Sequence, residues 1–262
     1  MHLLTYTHNQ RPELEPLLST FGKVWPEFIF HDEIARTYAH HIFTTFAHLN
    51  LYLCDEHDEL VAAGYGAPIV WDGSLETLPA GWDAALVQAV RDDEAQRSPT
   101  TFCALAAMVK QNYHGRGLSQ YVLRAMKSAA IQSKLVRMIA PVRPTLKSQY
   151  PFIPIEQYIE WKQPDGSPFD PWLRVHWREG GEILKTAPRS MTIRGTVEEW
   201  EKWANMRFPT SGEYVGPGAL QPVSIHYEQD EGIYTEPNVW VKHRLGTGIN
   251  ASIAAIYEKY SG

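Results

Sequence analysis

Hydrophobic and polar positions in the first third of the chain follow helical spacing, interrupted by one strand-like stretch. Apolar residues at helical spacing follow Pro12, and a second helical pattern runs from about Asp32 to Leu49. Two β-rich runs then flank the polar turn Asp55–Glu59, which predicts a hairpin. Helical spacing returns over Leu78–Arg91. This part of the chain therefore predicts helices around an antiparallel hairpin.

The middle of the chain carries the clearest order of elements. The run TTFCALAAMVK, which begins at Thr100, is nearly uncharged and predicts a strand buried on both faces. One face of a helix is then apolar at Leu118, Tyr121, Val122, Ala125, Met126 and Ala129. The run LVRMIAPV, which ends at Val142, predicts a second buried strand. Strand, tight turn, helix and strand together predict a βαβ-type unit.

The last part of the chain predicts further α and β elements. Residues 144–169 are rich in proline and aromatic residues and predict no regular element, and a short helix over Asp170–Glu179 ends at two glycines. Residues 182–195 predict a closing pair of strands. Thr196 and Glu199 form a capping-box pattern, and strand-like runs follow in the tail. The fold class is therefore α+β, with a domain over 1–195, an insertion at 144–169 and an extension over 196–262.

Composition limits the classes of function. The chain has 262 residues, of which 44% are hydrophobic, so it can bury a core. A net charge of −6 argues against nucleic acid as a partner. Residues 95–155 nevertheless contain no Asp or Glu, and nine cations lie in this acid-free segment: Arg97, Lys110, Arg116, Arg124, Lys127, Lys134, Arg137, Arg143 and Lys147. This uneven distribution predicts an anionic partner near the centre of the segment.

Other features predict an intracellular protein without a metal. Cys54 and Cys103 lie in apolar runs and are expected to be reduced core thiols. The start of the chain lacks a leader pattern, and no apolar run reaches the length that spans a membrane, so we expect a cytoplasmic protein without a membrane partner. The histidines at 31, 40, 41 and 48 lack the spacing of metal ligands, so no metal is expected.

Two glycines flank an arginine where the central helix begins. A helix start exposes unpaired amides and binds anions, and Gly115 and Gly117 let an anion approach the backbone. A Walker loop is excluded because no Gly-Lys-Ser/Thr is present. A Rossmann fingerprint is excluded because Gln120 occupies the third glycine position and no acid follows before Glu156. Phosphate binding of another kind is therefore predicted.

The stretch VKQNYHGRGLS, Val109 to Ser119, resembles the coenzyme A signature of the GNAT superfamily of acyl-CoA-dependent N-acyltransferases. His114 falls at its Arg/Gln position, Gly117 at its central glycine and Ser119 at its final small residue, so two of three positions are substituted. The resemblance covers roughly residues 1–195. It implies a central mixed β-sheet with splayed fourth and fifth strands, flanked by helices.

The resemblance also implies a reaction and its ligands. It implies an N-acetyltransferase that uses acetyl-CoA as cosubstrate, without a metal, and transfers the acetyl group directly to a small-molecule amine; a homodimer is left open. A backbone amide near Met108 would polarise the thioester carbonyl. The implied coenzyme A contacts are Met108, Val109, Lys110, His114, Gly115, Arg116, Gly117, Leu118 and Ser119.

The acid and base of such a reaction are less well marked. No Asp, Glu or His lies between Phe102 and Val109, so the fourth strand supplies no base of that kind. In related enzymes a tyrosine precedes a glycine–aromatic pair, and His176 lies in the matching place before Gly180. Tyr150 is the second candidate for the proton donor because of its spacing from the fifth strand, and His176 is slightly preferred.

Two other functions fit the sequence. The substituted motif and the missing strand carboxylate are compatible with a catalytically silent GNAT-like protein that binds acyl-CoA as a sensor. The aromatic-rich composition is also compatible with a binding module for another anion.

Overall fold

The computed structural model describes residues 2–22 and 24–245, in which nine strands join in one mixed sheet. The strands are β1 (Leu4–Thr7), β2 (Leu51–Cys54), β3 (Leu60–Ile69), β4 (Thr101–Val109), β5 (Arg137–Val142), β6 (Gly181–Gly195), β7 (Gly212–Tyr214), β8 (Val223–His226) and β9 (Glu231–Arg244). The α-helices are α1 (Glu33–Tyr38), α2 (His40–Phe43), α3 (Trp82–Glu94), α4 (Leu118–Gln132), α5 (Ile155–Tyr158), α6 (Pro171–Arg178) and α7 (Val197–Ala204).

The strand order is β1-β2-β3-β4-β5-β9-β8-β7, and β6 pairs with the other edge of β9. Within the described chain, β4 and β5 form the one parallel pair, and the other pairs are antiparallel. The predicted hairpin is β2–β3, and the predicted βαβ-type unit is β4–α4–β5. The α+β fold class with a central mixed sheet is therefore confirmed.

The parallel pair separates soon after it begins. Thr101–Cys103 pairs with Arg137–Ile139, after which β4 continues to Val109 with no strand of the described chain paired on that side. We call the space between residues 104–109 and the end of β5 the splay. A bulge on the other edge of β4 leaves Leu105 without a partner in β3. The predicted divergence of the fourth and fifth strands is thus present.

Helices cover both faces of the sheet and define two sides of the splay. On the α4 side, Leu118, Val122 and Met126 pack into one apolar cluster with strand residues such as Phe102. On the α3 side, residues of α3 and of the chain before β2 pack against the opposite face of β3 and β4. The sheet is therefore buried on both faces at its centre, as the nearly uncharged β4 run predicts.

The segment after residue 195 supplies part of the central sheet. β9 lies between β5 and β6, and a third apolar cluster joins α7, β6 and β8–β9 to Phe28 from the first part of the chain. The predicted boundary at residue 195 therefore does not coincide with an edge of the sheet. The capping box of Thr196 and Glu199 is present at the start of α7.

Two predictions of secondary structure are wrong in detail. Residues 182–195 do not form a strand pair, because they belong to the single long strand β6, whose partner β9 follows much later in the chain. The register of β6 breaks between Ala187 and Met191, which spans Pro188, a residue without an N–H to donate. The segment after Pro12 is a 3-10 helix that contains Pro16. Within the described residues, no helix combines the length and apolar character needed to cross a bilayer.

Candidate active site

The glycine turn opens directly onto the first turn of α4. Gly115 and Gly117 have φ of +77° and +76°, and no atom lies within 4 Å of the place where either Cβ would stand. Helix α4 begins at Leu118 without a side-chain cap and without an acidic residue in its first turn. The first amides of α4 therefore carry the partial positive charge of a helix start and have open space before them. This geometry fits the phosphates of coenzyme A.

Side chains around the turn hold its backbone in place. The Nε2 atom of His114 donates to the carbonyl oxygen of Val109 at 2.9 Å, which ties the turn to the end of β4. The Tyr113 hydroxyl donates to Glu59 at 2.9 Å, and this bond raises the pKa of Tyr113 to about 12. The Arg116 guanidinium lies 4.8 Å from the centre of the Tyr113 ring. The exposed turn is thus anchored at both ends.

The acid-free segment does not form a free basic surface. Four of its nine cations pair with carboxylates from outside the segment: Arg97 with Asp92, Lys110 with Glu59, Arg124 with Glu179 and Arg143 with Glu236. Lys127 and Lys147 donate to backbone carbonyls. Next to the turn, Arg116 has no carboxylate partner within the described chain. Of the cations predicted to bind phosphate, Arg116 is therefore free to do so, whereas Lys110 is already bound.

Along the edge of β4 that faces the splay, the amides have no strand partner among the described residues. The amide of Lys110 donates to Val61 in β3, and Met108 lies opposite Ala63. Because N–H groups alternate in direction along a strand, the amides of Ala107 and Val109 point away from β3 and into the splay. These two amides, rather than that of Met108 itself, can polarise a carbonyl bound there.

On the α3 side, Tyr65, Trp82 and Trp240 pack in one apolar cluster with Leu105, the residue at the bulge of β4. The Trp82 indole N–H donates to the carbonyl oxygen of Leu105 at 2.9 Å. The hydroxyl of Tyr65 and the indole nitrogen of Trp240 are buried without a hydrogen-bond partner in the described structure. Buried polar atoms without partners are uncommon and indicate groups available to a ligand. No local sequence pattern marks these residues, which come from three distant segments.

Tyr150 lies on the α4 side of the splay. Its ring packs against Tyr158, Trp161 and Phe169, with the centre of the Trp161 ring 4.9 Å away. Its half-buried side chain joins the same apolar cluster as Ala107, and no hydrogen bond to its hydroxyl is found in the described chain. Tyr150 therefore has a fixed ring and a free hydroxyl on the side of the sheet where α4 begins.

His176 lies at the opposite, closed end of the parallel pair. Its Nδ1 atom is 2.9 Å from Nε2 of His243, which lies opposite Met138, at the level where β5 still pairs with β4. The His176 side chain is 2% exposed, and burial, with smaller contributions from His243 and Lys127, lowers its pKa well below the usual value. The structure therefore does not bring His176 to the splay, and its geometry favours Tyr150 between the two proposed proton donors.

Comparisons with known proteins find relatives in sequence and in fold. Over 252 residues, the sequence is 30% identical to the arginine N-acetyltransferase avaD of Aspergillus versicolor, and the aligned region covers 86% of each chain. No family model matches the sequence. The fold is similar to the loading GNATL domain of CurA from Lyngbya majuscula, with a TM-score of 0.59, 16% identity and coverage of 94% and 98% of the two chains.

A second structure shares the fold at a similar level. This is the GphF GNAT-like decarboxylase in complex with isobutyryl-CoA, with a TM-score of 0.55, 15% identity and coverage of 94% of this chain and 100% of that chain. At such low identity the likeness concerns the fold alone.

Proposed function

Since the chain belongs to the GNAT superfamily of acyl-CoA-dependent N-acyltransferases and is an N-acetyltransferase, we propose that acetyl-CoA is its acyl donor and a small cationic amine its acceptor. One observation carries the proposal. The parallel pair β4–β5 is joined over three residues and then separates, next to an uncapped helix start with a glycine turn. The gap can hold the acyl end of acetyl-CoA, and the turn can bind its phosphates.

The residues at the turn and along β4 have separate roles in the proposal. Amides at the start of α4, reached over Gly115 and Gly117, bind the phosphates, and Arg116 adds a positive charge. The amides of Ala107 and Val109 bind the oxygen of the thioester carbonyl and stabilise the negative charge that develops on it. The predicted contacts of Met108, Lys110, Leu118 and Ser119 with the cosubstrate stay predictions.

The transfer itself is a single exchange at the acyl carbon. The lone pair of the neutral amine forms the new N–C bond while the C–S bond breaks, and its electron pair leaves with sulfur. The amine loses one proton to water, and the departing thiolate gains one proton. We assign the second proton to the hydroxyl of Tyr150, because it has no hydrogen-bond partner in the described structure and lies on the α4 side.

The acceptor class rests on two observations. The relative from Aspergillus versicolor is named an arginine N-acetyltransferase, and it is similar to this chain over most of both lengths. Outside the acid-free segment, this chain carries 30 acidic residues, which favours a positively charged acceptor over an anionic one. A small molecule with an amine and a further positive charge is the acceptor that both observations support.

The test is thiol release from acetyl-CoA in the presence of a panel of amines. The panel holds arginine, ornithine, putrescine, tyramine and glycine, and the acetylated products are identified by mass spectrometry. We expect thiol release that depends on the amine and is fastest with the cationic members. Gly117→Val should lose this activity through loss of acetyl-CoA binding.

The same assay separates the alternative function. Binding of acetyl-CoA by calorimetry without thiol release for any amine would contradict the proposed reaction and favour the silent acyl-CoA sensor. Absence of acetyl-CoA binding would reject both and favour a binding module for another anion.

A further inference from the structure

A buried lysine closes the turn that carries Tyr150. Lys147 begins a single 3-10 turn, Lys147–Gln149, and Tyr150 follows it directly. The Tyr150 amide donates to the Lys147 carbonyl oxygen at 2.9 Å, and Lys147 Nζ donates to the Tyr150 carbonyl oxygen at 2.8 Å. The amide of Ile153 donates to the same oxygen at 3.1 Å. Lys147 therefore holds both the N–H and the C=O group of Tyr150.

The same ammonium group reaches the C-terminal part of the chain. Lys147 Nζ also donates to the carbonyl oxygen of Leu220, which lies between β7 and β8, at 2.5 Å. The Lys147 residue is 1% exposed, and Nζ lies 6.0 Å from the centre of the Tyr158 ring, which packs against the Tyr150 ring. One buried cation therefore joins Tyr150 to the segment after residue 195.

The loop that receives the ammonium group is itself fixed by buried polar groups. The Leu220 amide donates to the Tyr234 hydroxyl at 2.9 Å, and this hydroxyl donates to Oε2 of Glu236. Oε1 of Glu236 pairs with the guanidinium of Arg143, the residue after β5. Arg143 also donates to the carbonyl oxygen of Gly218 at 2.6 Å. The loop around residues 218–220 is thus fixed to β9 and to the end of β5.

The chemistry of lysine indicates more than packing at this position. Burying an ammonium group is unfavourable unless it is hydrogen-bonded and compensated. Burial lowers the pKa of Lys147 to about 8, and the negative charge of Glu236 opposes this effect. An apolar side chain of the same length could fill the space without this penalty. What lysine adds is a directed hydrogen bond to the carbonyl oxygen of Tyr150.

We propose that Lys147 is a positioning residue for Tyr150, and that the segment after residue 195 contributes to the reaction through this contact. The inference rests on the proposed function, in which the Tyr150 hydroxyl gives a proton to the departing thiolate. A proton donor must lie within hydrogen-bond reach of the atom that receives the proton. A displacement of about 1 Å can slow a reaction by about 100-fold, so the backbone that carries the ring must be fixed.

The experiment is a double-variant cycle on the rate of thiol release from acetyl-CoA. kcat and KM are measured for the wild-type protein, Lys147→Met, Tyr150→Phe and the two substitutions together, and calorimetry gives the affinity for acetyl-CoA. Methionine keeps the length of the lysine side chain and removes its charge and its donors. Lys127→Met is the matched control, because Lys127 is a second buried lysine and donates to the carbonyl oxygen of Glu179 at the end of α6.

We expect Lys147→Met to lower kcat by about 10–100-fold, with KM and the affinity for acetyl-CoA nearly unchanged. In the Tyr150→Phe background the same substitution should lower kcat no further, because the position of the residue matters only while its hydroxyl is present. Lys127→Met should lower the free energy of unfolding and leave kcat unchanged. The inference is overturned if Lys147→Met leaves kcat unchanged, or if the effects of Lys147→Met and Tyr150→Phe multiply.

Tyr234→Phe decides the question if Lys147→Met does not fold. This substitution removes one buried hydroxyl, which fixes the Leu220 amide, and keeps the ring. A smaller fall in kcat is expected, and it should again disappear in the Tyr150→Phe background. No fall, or one that persists in that background, would reject the inference.

Hydrogen exchange separates this inference from the proposed function. If Tyr150→Phe does not slow thiol release, or if no amine supports it, the proposed role of Tyr150 is rejected. The amides of Tyr150 and Ile153 still report whether Lys147 holds this turn, and their exchange should be faster in Lys147→Met and unchanged in Lys127→Met. Unchanged exchange in Lys147→Met would overturn the inference. A slower Tyr150→Phe enzyme with an unaffected Lys147→Met enzyme would leave the proposed function standing without it.

Discussion

The two sides of the splay present different kinds of polar group to a ligand. On the α4 side, the binding groups are backbone amides in one short exposed turn, and the glycines leave space for the anion. On the α3 side, the polar groups belong to buried side chains, and atoms of Asp32, Tyr65, Asp83 and Trp240 have no hydrogen-bond partner among the described residues.

The difference concerns the free energy of the unliganded protein. Exposed amides at a helix start form hydrogen bonds with water, so the turn does not destabilise the unliganded protein. Burial raises the pKa values of Asp32 and Asp83 and so favours their neutral, protonated forms, and ionising either group in the folded state is unfavourable. We therefore expect substitutions on the α4 side to change binding or rate alone, and substitutions of Asp32 or Asp83 to change stability.

The largest effect is expected at Tyr150, which tests whether the α4 side also holds the proton donor. Tyr150→Phe removes one hydroxyl that has no partner in the described chain, so the fold should be unaffected. Loss of one acid–base group slows turnover by about 10²–10⁴-fold. Stopped-assay rates at saturating substrates should show this fall, while the affinity for acetyl-CoA stays unchanged.

His176→Ala is the matched variant at the closed end of the parallel pair. Since His176 is buried against His243, its loss should lower the free energy of unfolding rather than the rate of the folded enzyme. If His176→Ala slows turnover and Tyr150→Phe does not, the proton donor is His176. If neither slows turnover, the proton comes from water.

The next effect concerns the glycine turn. Gly117→Val places a branched side chain before the first amides of α4 and should weaken acetyl-CoA binding about 100-fold, the equivalent of two charge-assisted hydrogen bonds. Calorimetry gives the affinity. Gly180→Val is the control, because Gly180 has a φ of +77° and equally open surroundings at the end of α6. A similar loss of affinity in both variants would point to backbone strain rather than to a phosphate site.

Asp83 should make the stability of the protein depend on pH. Burial raises the pKa of Asp83 to about 8, so between pH ~4 and ~8 the folded state holds a proton that the unfolded state releases. Stability contributed by this group is therefore lost as the pH rises through that range. Asp83→Asn should raise the free energy of unfolding by on the order of 5 kcal/mol at pH 8 and little at pH 4, since about four pKa units separate the folded and unfolded states. Urea titrations at the two pH values measure this difference, and equal effects at both would contradict the raised pKa of Asp83.

The smallest effect separates two cations of the turn. Arg116 has no carboxylate partner in the described chain, whereas Lys110 donates to Glu59 at 2.6 Å. Arg116→Ala should weaken acetyl-CoA binding about three-fold and reduce its dependence on salt, as expected for one exposed ion pair. Lys110→Ala should change the affinity less. The opposite order would mean that Lys110 leaves Glu59 when the phosphates bind.

The sequence alone determined the elements whose causes are local. The alternation of β2–β3 around a polar turn, the uncharged run of β4, the apolar face of α4 and the two glycines before it were all readable because period and turn chemistry act over a few residues. The anion turn was predicted for the same reason. Which strands pair depends on segments far apart in the chain. The sequence therefore predicted two paired strands over residues 182–195, whereas β6 is one strand whose partner lies some fifty residues later.

Only the tertiary structure decided which side chains meet. The acid-free segment suggested a basic surface, but folding brings carboxylates from Glu59, Asp92, Glu179 and Glu236 onto its cations. Folding also places His176 at the closed end of the parallel pair. It brings Asp32 close enough to raise the pKa of Asp83, some fifty residues later in the chain. Burial and pairing depend on packing between distant segments, and these interactions leave no periodic trace in the sequence.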